Sequence, residues 1–137
     1  MKLKYWAIEL DGPDKVGKSI LKKYLIELNQ GRYAIHDRGY MTQVAYAKKF
    51  NREYEYEPDK NHVYILLTCD EKDRDIRCKL NNEPYINYQD DLALFIQIYQ
   101  RLREANYKVN IFNTSSYSLY NLSKIILNTV DRLNGLN

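Results

Sequence analysis

Residues 4–19 read KYWAIELDGPDKVGKS, and this stretch decides the fold. Lys4–Asp11 is a short apolar run rich in strand formers, and it ends at the turn pair Gly12-Pro13. From Gly12 to Ser19 the chain fits G-x-x-x-x-G-K-[ST] at every fixed position. Beyond it, Ile20, Leu21, Tyr24, Leu25 and Leu28 recur at helical spacing, and Gly31 stops the helix. A loop held between a strand and a helix turns backbone N–H groups toward phosphate oxygens. In that setting Lys18 reaches the β- and γ-phosphates and the Ser19 hydroxyl ligates Mg²⁺. Two plainer readings stand beside this one: a chance match in a strand-turn-helix, and a loop that binds nucleotide without catalysis.

Outward from the loop, strands and helices alternate. Tyr33–His36 reads as a second strand, and Thr42 is placed to cap a helix running to about Phe50. Asn51–Asn61, polar and containing Pro58, reads as a loop. His62–Thr68, HVYILLT, is a near-continuous apolar run of the kind a buried parallel strand needs. A highly charged helix over 71–80 follows, then a polar turn at Pro84. An amphipathic helix spans 90–106, a fourth strand 107–112 and a closing helix 116–133. The expected architecture is α/β, with helices on both faces of a small, mostly parallel sheet of about four strands. The 137 residues are read as one domain, 1–137.

Composition sets outer bounds. With 45% hydrophobic and 28% charged residues, 5 Gly and 3 Pro, the chain falls outside the collagen-like, low-complexity and disordered classes. No run of 18 apolar residues suggests a membrane span, and the N-terminus shows no signal peptide, so a cytoplasmic location is expected. The net charge of +3 suits an anionic small substrate, and no densely basic stretch favours nucleic acid. Cys69 and Cys78 form no metal-binding pattern, and Cys69 reads as a small buried residue. His36 and His62, each beside an apolar strand, read as structural. The 14 tyrosines are consistent with an AT-rich genome and carry little functional weight.

At these residues the chain resembles the thymidylate kinase branch of the P-loop nucleoside monophosphate kinases. Ile8–Asp14 is similar to that family's E-G-x-D lead into the loop, with Asp11 at the Glu position. Asp37-Arg38-Gly39-Tyr40-Met41-Thr42-Gln43-Val44-Ala45-Tyr46 resembles D-R-x-x-x-S-x-x-A-Y in register, with Thr42 for Ser. A weaker likeness runs from Tyr64, through an arginine-bearing segment, to Asn113-Thr114-Ser115.

The resemblance implies roles. The nucleotide would lie on Gly12, Pro13, Asp14, Lys15, Val16, Gly17, Lys18, Ser19 and Ile20, with Arg74 and Arg77 as lid arginines clamping phosphates. Asn113, Thr114 and Ser115 would contact the adenine of ATP. Asp14 would accept a hydrogen bond from the acceptor's 3′-hydroxyl, and Arg38 would hold its phosphate. Asp37 would sit near Mg²⁺ with Ser19. Thr42 and Gln43 fall at the thymine edge, and Tyr46 packs on the deoxyribose against a 2′-hydroxyl. Lys15, with Lys18 and Arg38, would act on the transferring phosphoryl group. A homodimer is also a family expectation. Structural readings compete: Arg38 as a partner of Asp37 or a helix end, Arg74 and Arg77 as a solvated face, and Tyr46 as plain packing.

The chain also departs from the family. A long segment, including the aromatic and arginine that hold the base, separates the loop helix from the D-R strand in the family. Here only Gln30, Gly31 and Arg32 do so. One wall of the base pocket is therefore missing, unless the Asn51–Lys60 loop or a second subunit supplies it. Three hypotheses follow. The first, which the sequence favours, is a compact kinase of viral or bacteriophage type, in the host cytoplasm, using ATP and Mg²⁺ on dTMP or a related, even modified, pyrimidine nucleotide. The second is a kinase of a nucleotide or modified base within DNA. The third is a non-catalytic regulatory domain.

Overall fold

The computed structural model describes residues 2–14, 16–82 and 88–136. Four strands, β1 (Ala7–Asp11), β2 (Ala34–Asp37), β3 (His62–Thr68) and β4 (Lys108–Asn113), form one sheet in the order β2-β1-β3-β4. Every pairing is parallel. The helices are α1 (Lys18–Asn29), α2 (Tyr40–Lys49), α3 (Glu71–Leu80), α4 (Tyr88–Glu104) and α5 (Leu119–Leu133).

The alternation of side chains along β1 and β3 separates two cores. Ile8, Leu10, Ile65 and Leu67 pack with Leu21 and Leu25 of α1 and Leu122, Ile126 and Val130 of α5. Tyr64 and Leu66 pack with Met41, Val44 and Ala45 of α2 and with Phe95, Ile98 and Leu102 of α4. The result is a three-layer α/β/α arrangement, the fold class expected from the sequence. Val63–Leu67 is buried without interruption, because helices cover both faces of this central strand. Each fully buried leucine in these layers contributes about 2 kcal/mol.

The chain leaves β1 toward β2 on one side, and returns to β3 on the other. The carboxyl end of β1 is thus a topological switch point, where a crevice opens in such sheets. The loop from Gly12 to Gly17 sits there.

Several boundaries differ from the sequence reading. Thr42 does not cap α2: the cap is Gly39, and the helix starts at Tyr40. Carboxylates from β1 take over the capping role. Glu9 Oε1 accepts from the Tyr40 N–H at 2.7 Å, and Asp11 Oδ1 accepts from Thr42 N–H and Oγ1 at 3.1 and 2.6 Å. Acceptor oxygens at a helix N-terminus satisfy its open N–H groups, so the sheet overrides the local capping preference. The last helix starts at Leu119 rather than Ser116, because Ser118 caps it and Thr114–Ser116 forms a 3-10 turn. Residues 52–59 form no regular element, as expected of a loop. The turn expected at Pro84 lies outside the described residues. Among the described residues no helix is long and apolar enough to cross a membrane.

Candidate functional site

Glycine makes the cradle possible. A Cβ on Gly12, at φ 151°, would meet the Leu67 carbonyl oxygen at 2.3 Å, so only glycine lets the loop cross this close to β3. Gly17, at φ 95°, occupies the left-handed region as it opens α1. Lys18 begins that helix, and its Nζ donates to the Gly12 carbonyl across the loop. Burial lowers the Lys18 pKa, while Asp14, Asp11 and Asp37 oppose the shift. Thr114 braces the loop from outside: its buried hydroxyl lies 2.7 Å from the Val16 carbonyl and 3.0 Å from that of Thr68.

A cavity of about 480 Å³ opens over this cradle. Asp14, Gly17, Lys18, Ser19 and Ile20 line it from the loop and α1. Asp37 and Arg38 line it from the end of β2, and Arg77 and Asn81 from α3. Three cationic side chains, Lys18, Arg38 and Arg77, face two carboxylates, which suits a polyanion.

A second cavity of about 260 Å³ shares Arg38 with the first. Thr42, Gln43, Tyr46 and Ala47 of α2 line it, with Phe50, Arg52, Glu53 and Tyr56 from the following segment. Arg38 has φ 51°, a left-handed conformation uncommon outside glycine, and its N–H donates to the Leu10 carbonyl at 3.2 Å. Its guanidinium is exposed and lies 4.0 Å from Asp14. Asp37 instead faces Lys22 at 3.4 Å. The pairing of Arg38 with Asp37 that the sequence allowed is thus replaced by one with Asp14. Burial, with the nearby Asp14 charge, raises the Tyr46 pKa and keeps its phenol protonated.

The structure gathers most of the anticipated residues around these two cavities, with clear exceptions. Arg74 does not line either one. It is buried, bonded to Asp75 at 2.6 Å and Glu71 at 3.3 Å, and stacked 4.7 Å from the centre of the Tyr88 ring. Of the two arginines read as a lid, only Arg77 faces the cradle. Asn113, Thr114 and Ser115 line neither cavity and are engaged structurally. Asn113 bonds Asp70 through Nδ2 and accepts from Ser115 N–H, while Ser115 Oγ accepts from Asp70 N–H. Pro13 and Val16 are buried behind the loop surface. Lys15 lies outside the described residues.

Sequence reasoning missed Glu9 and Asp11 as the groups that anchor α2. Gly39 belongs with them, because a Cβ there would meet Glu9 Oε1 at 2.0 Å. Glu9 also holds His62 Nδ1 at 2.5 Å, so His62 is structural, as expected. The available signal was two carboxylates at alternate positions of the apolar strand AIELD, which places both on one face. Asn81 and Phe50 were missed as lining residues, since nothing local distinguishes them, whereas Arg52, Glu53 and Tyr56 belong to the Asn51–Lys60 loop that the sequence offered as a substitute wall.

No protein-family model matches the sequence, and no curated protein matches it. Among solved structures, the chain is similar to the YorR protein of Bacillus subtilis, solved in complex with phosphorylated GDP. The TM-score is 0.71 at 18% identity, over 96% of this chain and 99% of that one. The likeness is one of fold: a parallel sheet between two layers of helices.

Proposed function

We propose that the protein transfers the γ-phosphoryl group of ATP to the phosphate of a deoxynucleoside monophosphate. The observation that carries this reading is Arg38, an arginine shared by two adjoining cavities, one over the phosphate loop and one without it. That arrangement suits a donor site and an acceptor site that meet at the transferred group. The nucleotide bound by the YorR protein and the motif resemblance both support a nucleotide ligand here.

An acceptor phosphate oxygen attacks the γ-phosphorus in line, and the bond to the β–γ bridging oxygen breaks to release ADP. The acceptor is already ionised at neutral pH, so no strong base is needed. Lys18 and Arg38 stabilise charge on the transferring group, and Arg77 adds a further cation at the cradle. Mg²⁺ would be held by the Ser19 hydroxyl, with Asp37 nearby, and would offset phosphate charge. Among the described residues no group of three or more His, Cys, Asp or Glu gathers to hold a metal. Nucleotide oxygens and water would therefore complete its shell, as is usual for this ion. Tyr46 is proposed to pack against the sugar, and Asp14 to accept from its 3′-hydroxyl.

The test is ATP consumption with Mg²⁺ against a panel of deoxy- and ribonucleoside monophosphates and an oligodeoxynucleotide. Turnover with a free deoxynucleotide is expected, with a loss of about a thousandfold or more in Lys18→Ala at unchanged fold. Turnover with the oligonucleotide alone would establish a polymer acceptor. Nucleotide binding with no turnover on any acceptor would establish a regulatory domain.

A further inference from the structure

The second cavity has a wall that the motif resemblance does not account for. Four of its lining residues, Phe50, Arg52, Glu53 and Tyr56, come from the segment that follows α2. The start of that segment is fixed. Phe50 N–H donates to the Tyr46 carbonyl at 3.0 Å, and Arg52 N–H to the Ala47 carbonyl at 2.7 Å. The Arg52 guanidinium lies over the Phe50 ring, 5.0 Å from its centre. Phe50 and Tyr56 are 54% and 45% exposed, so two aromatic rings stand partly bare beside the cavity. Flat aromatic surface of this kind stacks nucleobases.

We propose that residues 50–56 are the base-reading wall of the acceptor site and that they select guanine. The proposal rests on the acceptor reading above for the position of the phosphate at Arg38. The selectivity comes from two side chains of opposite hydrogen-bonding character. Arg52 can only donate, and ionised Glu53 can only accept. Guanine presents two adjacent donors, N1–H and N2–H, which match a carboxylate. It also presents two adjacent acceptors, O6 and N7, which match a guanidinium fork. Thymine has a single N–H flanked by two carbonyls, and cytosine and adenine lack the paired donors. The Thr42 hydroxyl donates to Asp11 at 2.6 Å, so toward a base it can only accept.

Calorimetric titration of the full chain with dGMP, dAMP, dCMP and dTMP tests the proposal. The same titrations are run on Glu53→Gln and Arg52→Gln, with thermal melts to verify folding. Both residues are exposed, so the variants are expected to melt as the parent does. The dGMP affinity should exceed that for dTMP by about tenfold or more, the range of a good bidentate base contact. Glu53→Gln should weaken dGMP by about tenfold and leave dTMP within about twofold. Equal or tighter binding of dTMP overturns the choice of base. Loss of the same size for all four nucleotides, or no loss in either variant, overturns the wall itself. If dGMP binds selectively but is never phosphorylated, the base reading stands and the kinase reading fails. If turnover is seen and the loop variants do not alter base preference, the kinase reading stands and this one fails.

Discussion

The two cavities that meet at Arg38 are built in opposite ways. The larger one rests on backbone and buried struts: Gly12 against β3, Thr114 beneath Val16, and Lys18 reaching across the loop. The smaller one has a firm side, α2, and a soft side, the irregular segment after it, whose residues 51–57 are all exposed. A phosphate group has one geometry whatever nucleotide carries it, so a rigid backbone cradle serves every donor. A base varies, and an exposed segment can change its side chains without disturbing the sheet. On the proposed reading, phosphate handling belongs to the fold, whereas base choice belongs to a loop.

Arg38 joins the halves, and removing it should break the comparison most severely. Arg38→Ala is expected to raise the acceptor KM by roughly tens- to a hundredfold, the scale of a lost charge-assisted phosphate contact. Its guanidinium is exposed, so stability should hardly change. Steady-state kinetics with varied acceptor at saturating ATP, and the reverse, would measure this. An equal rise in both KM values would show that Arg38 serves the two cavities alike. Unchanged acceptor kinetics would reduce it to a structural residue.

The rigid half was far more legible in the sequence than the soft half. Glycine spacing, the Lys18-Ser19 pair and the Asp37-Arg38 step are local signals, because backbone conformation and helix starts depend on neighbours in the chain. The partners of Asp11 and Glu9 were not legible. Thr42 looks like a cap by residue type, yet only the β1–α2 packing shows that carboxylates from another element do the capping. Arg74 and Arg77 are alike by spacing and charge. They part ways because Asp75 and the Tyr88 ring occupy one of them, and Tyr88 is placed by tertiary packing. The Asn51–Lys60 loop could be offered as a substitute wall from the shortened chain alone, but which of its side chains line the cavity, and that Phe50 joins them, depends on where the sheet and α2 set the segment beside Arg38.

Asp11 offers a sharper test of how firmly α2 is fixed to the cradle. Its carboxyl is fully buried, Oδ2 has no hydrogen-bond partner among the described residues, and the pKa is pushed up to about 6 from 3.8. Burial is the main cause; the Thr42 hydroxyl and N–H oppose it, and the Glu9 charge adds to it. The native state therefore holds a proton that the unfolded chain releases earlier. The stability Asp11 contributes is fully present below about pH 3.8, and is lost as pH rises through about 6. Other carboxylates shift stability too, so the quantity to measure is the difference from Asp11→Asn in urea unfolding. That difference should move against the parent by about 2 to 3 kcal/mol between pH 4 and pH 7. Parallel pH curves for the two proteins would show that folding leaves the Asp11 pKa unshifted.

The smallest expected effect tests the strut beneath the loop. Thr114 is buried, and its hydroxyl is shared between carbonyls of the loop and of β3. Thr114→Val keeps the shape and removes the donor, leaving the Val16 carbonyl without that bond. A lost buried hydrogen bond of this kind costs about 1 to 2 kcal/mol. In a chain of this size the melting temperature should fall by roughly 3 to 6 °C. If the strut also sets the loop's shape, the ATP KM should rise severalfold while the acceptor KM stays constant. A lower melting temperature with both KM values unchanged would make Thr114 a stabilising residue alone. The rigidity of the cradle would then come from Gly12 and the sheet rather than from the segment after β4.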